Sequence, residues 1–375
     1  LGYVQYSVDT EKDSHKEMEE KSVLENEYYT IEVEKDGSLT IVDKENNVTY
    51  KNQGILVENG DDGDSFNYSP PRKDLEVFSN ESESSVKISG SDVYSQAVIH
   101  FDMVVPENLE ERAEGKVSVT MPVDMTVALR KGSKVIDFNV KVDNKGLSHR
   151  LCVVFDSQIV SAFNYADQQF GLIKRPNYYE KEMKLYMESM NNRSEKKTGI
   201  QELANWANDQ SIWQEPPISI EPTQSYVSLT DGKTGVAVIP QGVREYEVLD
   251  DSKIRLTLFR TFGFMGKENL IYRPGRASGE RIIETPAAQL LKQMEFNFGF
   301  TTYAGDINDA DIDTLAKQYD TNMEVYTYAE FLNGRLIFSQ REIEGKNDIV
   351  HSLFETEGNL VVSAIKKAEE DDGYI

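Results

Sequence analysis

Short apolar runs that alternate with polar residues recur along most of this chain, and turn residues separate them. Residues 28–33 alternate, Asp36 and Gly37 follow, and residues 39–42 alternate again. An Asp-Gly pair between two such runs is a strong short-range signal of a β-hairpin. The same strand pattern occurs in residues 48–50, 97–105, 116–129, 134–142, 151–155, 170–173, 226–229, 235–240, 254–259 and 294–303. This spacing predicts an all-β fold, a large antiparallel sandwich, and not alternating βαβ units.

Helical signals are few. Residues 178–190 predict a short helix that the polar residues 191–194 would end. Residues 308–319 give the clearest helix pattern, with Asn308 as the N-cap and acidic residues in the first turn.

A domain boundary is predicted where the last long strand ends, so that residues 1–304 form the sandwich and residues 305–375 a smaller α+β or β appendage. The appendage would contain short β runs at residues 324–328, 335–338 and 360–364. Because the sequence opens on Leu1 and closes on an acidic tail as if another strand should follow, we expect a piece of a longer protein, cut at both ends.

The charge is strongly one-sided, with 65 acidic against 40 basic residues and a formal net charge of −25. Nucleic-acid binding depends on Lys and Arg that neutralise phosphates, and anionic membrane surfaces also attract basic segments. The composition therefore argues against both partners. We interpret the acidity as a contribution to solubility.

The chain has a single cysteine, Cys152, which excludes an intrachain disulfide. No apolar run reaches the about 20 residues that a membrane-spanning helix needs. A chain of this size without disulfides suits the cytoplasm, and we predict that location.

Arg260 ends the strand candidate that begins at residue 254. Strict alternation would place Leu256, Leu258 and Arg260 on one face of the sheet. A guanidinium at the end of an apolar face needs either an acidic partner or the edge of a cleft. Both alternatives, a salt bridge at the sandwich rim and a ligand contact, stay open.

Asp61, Asp62 and Asp64 form an acidic loop. Clustered carboxylates can bind a hard cation, but the spacing of an EF-hand is missing, and we favour a turn with solvated acids. The four histidines show no His-x-His or His-Glu-x-x-His spacing, and His100, two residues before Asp102, lies in a strand candidate. We therefore predict no metal site in this chain.

A series of segments carries a further pattern. Residues 60–71 read Gly-Asp-Asp-Gly-Asp-Ser-Phe-Asn-Tyr-Ser-Pro-Pro, and residues 273–276 read Arg-Pro-Gly-Arg. Together with residues 1–3, 24–28, 36–40, 142–144, 148–151, 213–217, 241–248, 260–289 and 366–369, they follow one order along the chain. In that order the sequence resembles the β-rich C-terminal part of glycoside hydrolase family 38, the α-mannosidases. Bacterial mannosylglycerate hydrolases and related cytosolic α-mannosidases are the relatives it resembles most.

The resemblance implies a β-supersandwich of the kind found in galactose-mutarotase-like domains. It also implies a parent enzyme that is a zinc-dependent, retaining α-mannosidase acting on an α-mannoside, and it is compatible with a homo-oligomer of that parent. Zinc and the catalytic residues would lie in an N-terminal catalytic domain, the partner of this chain. This chain would supply no catalytic residue and no metal ligand, and we expect it to be inactive by itself.

The resemblance further implies that the loop at residues 60–71 leans toward the substrate pocket, and that Arg260 lies at the edge of the mannose-binding site. The substrate-binding candidates are therefore Arg260, Asp64, Phe66 and Tyr68. Relatives often carry Tyr where this chain has Phe66. A phenylalanine can stack on a sugar face but cannot donate a hydrogen bond.

Two other functions are compatible with the same residues. A stand-alone carbohydrate-binding sandwich without chemistry would need exposed aromatic residues in a groove. A mutarotase-like epimerase would need a histidine and a carboxylate on one pocket, and His100 and Asp102 would share a strand face. The basic loop at residues 273–276 could clamp an anionic substrate, but we favour packing against a neighbouring domain.

Overall fold

The computed structural model describes residues 2–5, 18–195, 215–273, 282–321, 349–352, 355, 357 and 364–369. The strands are β1 (Gly2–Gln5), β2 (Glu19–Glu20), β3 (Leu24–Glu25), β4 (Tyr29–Val33), β5 (Leu39–Asp43), β6 (Val48–Gln53), β7 (Ile55–Gly60), β8 (Val77–Phe78), β9 (Glu83–Gly90), β10 (Tyr94–Val105), β11 (Val119–Arg130), β12 (Ile136–Asp143), β13 (His149–Asp156), β14 (Phe163–Gln168), β15 (Gly171–Pro176), β16 (Glu221–Pro222), β17 (Val227–Thr230), β18 (Thr234–Gln241), β19 (Glu245–Leu249), β20 (Lys253–Arg260), β21 (Gln293–Ala304) and β22 (Ile349–Ser352). The helices are α1 (Leu109–Glu114), α2 (Glu180–Glu195) and α3 (Ile312–Asp320).

The chain divides into two compact units. One is Met18–Asp320, and the other joins Leu1–Glu17 to Thr321–Ile375. In the second unit, β1 pairs antiparallel with β22. The division predicted between residues 304 and 305 falls inside the larger unit, and as an assignment of domains it stays a prediction.

Three antiparallel sheets form the larger unit. The ten-stranded sheet has the order β15-β14-β17-β18-β21-β12-β11-β10-β9-β2, and the six-stranded sheet has the order β16-β19-β20-β13-β7-β8. The four-stranded sheet runs β3-β4-β5-β6. Every strand pairing in these sheets is antiparallel among the described residues, which confirms the predicted all-β antiparallel fold.

The main core lies where the sheets face one another. Phe155 of the six-stranded sheet packs against Phe138, Phe298 and Phe300 of the ten-stranded sheet, with ring centroids 5.0–6.1 Å apart. Tyr50 of the four-stranded sheet lies 6.2 Å from Phe300. Full burial of each such aromatic stabilises the fold by about 1.5–3 kcal/mol, so this cluster fixes the three sheets against one another.

Strand β10 shows why the alternating pattern predicts this fold. Ala97, Ile99, Phe101 and Met103 are fully buried, while the residues between them are at least partly accessible. One face of the strand therefore packs on the core and the other faces solvent, which is the arrangement that produces strict alternation.

Helices α2 and α3 differ from the predictions. Helix α3 begins at Ile312 and not at Asn308, because Asp306 accepts a bond from the Asn308 backbone and Asp311 has a positive φ of 51°. These residues form turns, so the prediction of Asn308 as N-cap is wrong. Helix α2 continues to Glu195, because Asn and Ser cost only a few tenths of a kcal/mol each inside a helix.

Other predictions fall outside the described residues. They concern the segments 324–328 and 335–338, most of 360–364, residues 274–276 of the basic loop, and residues 213–214. Among the helices that the structure describes, none combines the length and the apolar character needed to span a membrane.

Candidate functional site

The loop that follows β7 is held by its own carboxylates. Asp61 Oδ1 accepts the backbone N–H of Gly63 at 2.9 Å. Asp64 Oδ1 accepts those of Phe66 and Asn67 at 3.0 and 3.1 Å. Short acidic side chains favour such turns because they satisfy backbone donors that no strand partner reaches. Residues 61–67 thus form a compact, internally bonded turn, which we call the acidic loop.

Arg260, at the end of β20, also binds the acidic loop. Its Nε donates to Asp61 Oδ2 at 2.6 Å and its Nη2 to Asp61 Oδ1 at 3.1 Å. The same Nη2 contacts the carbonyl oxygens of Asp64 and Asn67 at 3.0 and 2.9 Å. The guanidinium therefore ties together both ends of the acidic loop.

Two further basic side chains bind the acidic loop, and together with Arg260 they form what we call the clamp. Arg273 pairs with the Asp64 carboxylate and with Asn67 Oδ1, and Lys267 Nζ pairs with Asp62. The backbone N–H of Lys267 also donates to Asp64 Oδ2 at 2.9 Å. The predicted turn is present, but the prediction of solvated acids is wrong for Asp61 and Asp64, while Asp62 is 30% exposed. Asp61 and Asp64 are fully buried, because basic side chains from residues 260–273 cover them.

The same contacts revise the interpretation of the basic loop. Arg273, the first residue of that loop, forms an ion pair with Asp64 of its own chain and is only 6% exposed. The guanidinium of Arg273 is thus paired within this chain, and the favoured packing of the whole loop, residues 273–276, against a neighbouring domain stays a prediction. A bidentate or branched guanidinium contact of this kind fixes geometry as well as charge.

The two buried acids have opposite pKa shifts. Burial raises the pKa of Asp61, although the hydrogen bonds and charge of Arg260 oppose this shift. Burial also acts to raise the pKa of Asp64, but the bond from Arg273 and the backbone N–H donors of Phe66, Asn67 and Lys267 outweigh it and lower that pKa. Asp64 is therefore the carboxylate that the loop holds more firmly in its ionised form.

A β-bulge decides which way Arg260 faces. Leu151 pairs with Phe259, but Cys152 pairs with Thr257, so Leu258 is the extra residue in β20. Because a bulge shifts the alternation by one, Arg260 lies on the face opposite Leu256. The predicted common face of Leu256, Leu258 and Arg260 is wrong for this reason.

Tyr68 follows directly after the acidic loop, and it is buried. Its hydroxyl accepts a bond from Asn59 Nδ2 at 3.1 Å, and its ring covers the guanidinium of Arg150 at 4.0 Å. Tyr272 meets the ring edge-on at a centroid distance of 6.0 Å. Burial raises the pKa of the Tyr68 hydroxyl above its ordinary value. These contacts give Tyr68 a supporting role beneath the acidic loop.

The sequence interpretation missed the charged network around Tyr68. Arg150 Nε and Arg255 Nη2 both donate to Asn59 Oδ1, at 3.0 and 2.6 Å. Arg150 Nη2 also pairs with Glu247 Oε1 at 2.9 Å. The signal was present in β20, where Arg255 interrupts the apolar residues of a strand that is buried on both faces.

Phe66 differs from the other predicted substrate-binding residues, because it is 60% exposed. The Arg260 side chain is 18% exposed, and its Nη1 has no hydrogen-bond partner among the described residues. Both oxygens of Asp64 and the hydroxyl of Tyr68 are already bonded within the chain. The structure thus brings all four residues together, but of these only Phe66 is largely exposed, and Arg260 is partly exposed with its guanidinium over the ring of Phe262 at 5.2 Å. An aromatic ring and a guanidinium can stack on and hydrogen-bond a polyhydroxylated ligand.

The histidines lie elsewhere. His149 is fully buried, with Nδ1 2.9 Å from Glu58 Oε1 and Nε2 2.8 Å from Asn144 Oδ1. His100 lies on the accessible face of β10, where its Nδ1 is 2.7 Å from Asp124 and its Nε2 is 3.5 Å from Asp102. Among the residues that the structure describes, no three His, Cys, Asp or Glu side chains are placed to hold a metal ion.

Comparisons with known proteins agree with this architecture. The sequence matches the family described as "Glycosyl hydrolases family 38 C-terminal domain" over residues 24–264. A "Putative mannosylglycerate hydrolase" of Halalkalibacterium halodurans is 24% identical over 374 residues, covering 94% of this chain and 35% of that protein. Two Enterococcus faecalis structures, one titled a protein in glycosyl hydrolase family 38 and one titled an alpha-mannosidase, superpose with TM-scores of 0.70 and 0.71 at 20% and 22% identity.

This chain belongs to the glycosyl hydrolase family 38 C-terminal domain family, since the match covers more than half of it. The superposed region covers 94% of this chain in both structural comparisons, but only 37% and 36% of the two Enterococcus faecalis chains. The chain therefore spans about a third of the length of the relatives it matches.

Proposed function

We propose that this chain is the C-terminal β portion of a zinc-dependent, retaining α-mannosidase and completes the wall of its substrate cleft. Phe66 and Arg260 would contact the α-mannoside, and the nucleophile, the acid–base group and zinc would lie in an N-terminal catalytic domain. Family membership and the greater length of the relatives support this division of labour. The parent would act in the cytoplasm.

The observation that carries the proposal is an exposed phenylalanine on a rigidly bonded loop. Phe66 follows directly after Asp64 and Ser65, and Asp61 and Asp64 are clamped by Arg260 and Arg273. A loop ordered before binding loses little conformational entropy when a ligand arrives. Phe66 is therefore suited to stack on the apolar face of a sugar, while Asp64 acts as a positioning residue.

Retaining glycoside hydrolysis needs a carboxylate nucleophile and a second group that acts as acid and then base. The described side chains bring together no metal-binding group, so they do not fit zinc, and we assign no step through it to this chain. What this chain would do is bind the sugar and exclude water from one side of the cleft.

A second candidate is a stand-alone carbohydrate-binding sandwich. The exposed ring of Phe66, near the partly exposed side chain of Arg260, favours it equally, because sugar stacking needs no catalytic group. The two functions differ in whether a longer form of the protein hydrolyses the sugar.

Hydrolysis of an aryl α-mannoside with zinc in excess distinguishes these functions. We expect no turnover by the folded 375-residue chain and clear turnover by a form that includes the N-terminal region. Zinc-dependent turnover by the short chain would contradict the proposal. Mannoside binding by the short chain, with no turnover by the longer form, would support the binding module.

A matched pair of variants tests the residue that carries the proposal. In the longer form, Phe66→Ala should lower kcat/KM by roughly tenfold, the loss of about 1.4 kcal/mol of transition-state binding. Phe170→Ala removes a fully exposed ring from the β14–β15 hairpin and should leave kcat/KM unchanged. Equal kinetics for both variants would exclude Phe66 from the cleft.

A further inference from the structure

A group of buried charged side chains lies where β7 leads into the acidic loop. Glu58 of β7 and His149 of β13 are fully buried, and Arg112 of helix α1 is 2% exposed. Glu58 Oε1 accepts a hydrogen bond from Arg112 Nη2 and lies 2.9 Å from His149 Nδ1. We call these three residues the buried charge cluster. Charges at this depth persist only when they are paired and hydrogen-bonded.

The amide of Asn144 fixes the hydrogen on one nitrogen of the His149 ring. Asn144 Nδ2 donates to the carbonyl oxygens of Gln289 and Leu290, at 3.0 and 3.2 Å, which decides which end of the amide faces the ring. Asn144 Oδ1 accepts the backbone N–H of Gly146 at 3.0 Å and lies 2.8 Å from His149 Nε2. Because an amide oxygen can only accept, His149 Nε2 must carry a hydrogen.

The other ring nitrogen also faces an acceptor. Arg112 keeps its proton in a protein, so its bond to Glu58 Oε1 requires an electron pair on that oxygen. A guanidinium pairs with the ionised form of a carboxyl group. A hydrogen on Glu58 Oε2 would have no acceptor, since that buried atom has no hydrogen-bond partner among the described residues. His149 Nδ1 must therefore donate to Glu58 Oε1 as well.

The charges around the ring balance when His149 carries both hydrogens. Arg112 Nη1 lies 3.4 Å from Asp74 Oδ1, so the cations Arg112 and His149 face the carboxylates Glu58 and Asp74. A neutral His149 would leave an excess negative charge in the interior and would direct two electron pairs at each other across 2.9 Å. The ring also meets Phe259 edge-on at 5.5 Å, and this neighbour carries no charge.

Residues 148 and 149 connect the buried charge cluster to the candidate site. The N–H of His149 donates to Thr261 Oγ1 at 3.0 Å, and the N–H of Thr261 donates to the His149 carbonyl at 2.7 Å. Thr261 directly follows Arg260. The N–H of Asp61 donates to the carbonyl of Ser148 at 2.9 Å. Both partners of the Arg260–Asp61 pair are thus bonded to a backbone segment whose histidine ring is itself held on two sides.

We propose that His149 carries both ring hydrogens in the folded protein at neutral pH, and that the ring held in this way is a positioning residue for Arg260 and Asp61. The assignment of the hydrogens depends only on the contacts of the ring. The positioning role rests on the proposed function, because it requires that Arg260 contacts the sugar.

Nitrogen NMR tests the assignment of the hydrogens. The histidines of the folded 375-residue chain are labelled with nitrogen-15, and their ring nitrogens are detected through the carbon-bound ring protons at pH 7.5. The signals of His149 are assigned with His149→Gln. Both of its nitrogens should resonate as protonated nitrogens, although an ordinary histidine titrates near about 6.5 and is mostly neutral at this pH. The control is the same chain unfolded in urea, where every histidine should be neutral.

A double-mutant cycle tests the positioning role. In the longer form, His149→Gln should lower kcat/KM by about tenfold, and it should lower it much less in the Arg260→Ala background, because the ring acts through Arg260. Thr261→Val removes the bond from the His149 N–H without changing the ring, and should act in the same direction. Ser228→Ala removes a buried hydroxyl that bonds Tyr303 at 2.7 Å in the ten-stranded sheet, and should lower stability but leave kcat/KM unchanged.

The outcomes separate the parts of the proposal. One protonated and one bare ring nitrogen in folded His149 would overturn the assignment of the hydrogens. An equal loss of kcat/KM with and without Arg260, for His149→Gln and Thr261→Val alike, would overturn the positioning role. A longer form that does not hydrolyse an α-mannoside would refute the proposed function and the positioning role with it, whereas two protonated nitrogens in His149 would still support the assignment.

Discussion

Arg260 and Asp61 form a two-point ion pair, with Nε 2.6 Å from Oδ2 and Nη2 3.1 Å from Oδ1. Asp61 is fully buried, while Arg260 remains 18% exposed. The carboxylate thus depends on a partner that solvent still reaches. This pair joins two segments 199 residues apart, and it holds the acidic loop to the end of β20.

Arg260→Ala should destabilise the fold by about 3 kcal/mol, because removal of one partner leaves a buried charge without compensation. The cost should appear as a lower midpoint of urea unfolding, with an unchanged slope of the unfolding free energy against urea concentration. A change of slope would mean that the variant alters the compactness of one state and not only its stability.

Two controls define the electrostatic origin of this effect. Asp250→Asn removes the charge from the exposed pair with Lys253, keeps a residue type that tolerates the positive φ of 51° at this position, and should cost about 1 kcal/mol or less. Asp61→Asn added to Arg260→Ala should recover part of the loss, because the orphaned charge is removed. If the double variant is no more stable than Arg260→Ala, the buried charge does not explain the cost.

The sequence predicted most strands because one face of each packs on the core. In β10, buried Ala97 and Ile99 alternate with residues that solvent reaches, so the pattern is visible without a structure. In β20, by contrast, every residue from 254 to 259 is buried, and the bulge at Leu258 leaves no mark in the composition. Alternation cannot predict orientation where both faces are covered.

The candidate site shows a second limit of prediction from sequence. Asp61, Asp62 and Asp64 look like solvated loop acids because their partners are remote, with Arg273 lying 209 residues beyond Asp64. Local sequence defines the turn, but only the tertiary fold determines whether a carboxylate is exposed or clamped. For the same reason, the buried position of Tyr68 under Arg150 could not be predicted.

The Asp64 carboxylate should make the free energy of unfolding depend on pH in acidic solution. Its pKa is lowered, so the stability it contributes is present above its ordinary value of 3.8 and is lost as pH falls through the depressed pKa of the folded state. Asp64→Asn should cost about 2 kcal/mol or more at pH 7, since Arg273 then stays buried without its carboxylate. Urea unfolding of both proteins should show this difference constant from pH 7 to pH 5, falling only below 3.8.

Asp231→Asn is the matched control for Asp64→Asn. The backbone N–H groups of Thr234 and Lys233 lower the pKa of Asp231, but that side chain is exposed. Its substitution should cost much less at pH 7. A difference for Asp64→Asn that stays constant below pH 3 would contradict the lowered pKa.

His100 should titrate above its ordinary value. The hydrogen bond with Asp124 raises the pKa of His100 above 6.5, and burial opposes the shift only partly. NMR titration of the His100 ring, assigned with His100→Gln, should give a midpoint above 6.5 that moves down in Asp124→Asn. The linked stability is present below pH 6.5 and is lost as pH rises through the raised pKa, but solvent screens it because the side chain is 41% exposed. An unchanged midpoint in Asp124→Asn would assign the shift to another group.

Gly63 should be the least replaceable residue of the acidic loop. A Cβ at this position would lie 2.0 Å from the carbonyl oxygen of Asn67 and 2.8 Å from Arg260 Nη2. That carbonyl is itself an acceptor of Arg260, so the clash cannot be relieved without opening the clamp. Gly63→Ala should therefore cost about 2 kcal/mol or more in urea unfolding.

Gly132→Ala, at a φ of 75° with nothing within 4 Å, should cost only the about 1 kcal/mol of a left-handed alanine. Faster backbone hydrogen exchange at residues 63–67 in Gly63→Ala, and not in Gly132→Ala, would show that the loop itself has opened, whereas equal costs for the two variants would mean that the loop adapts to the added methyl group.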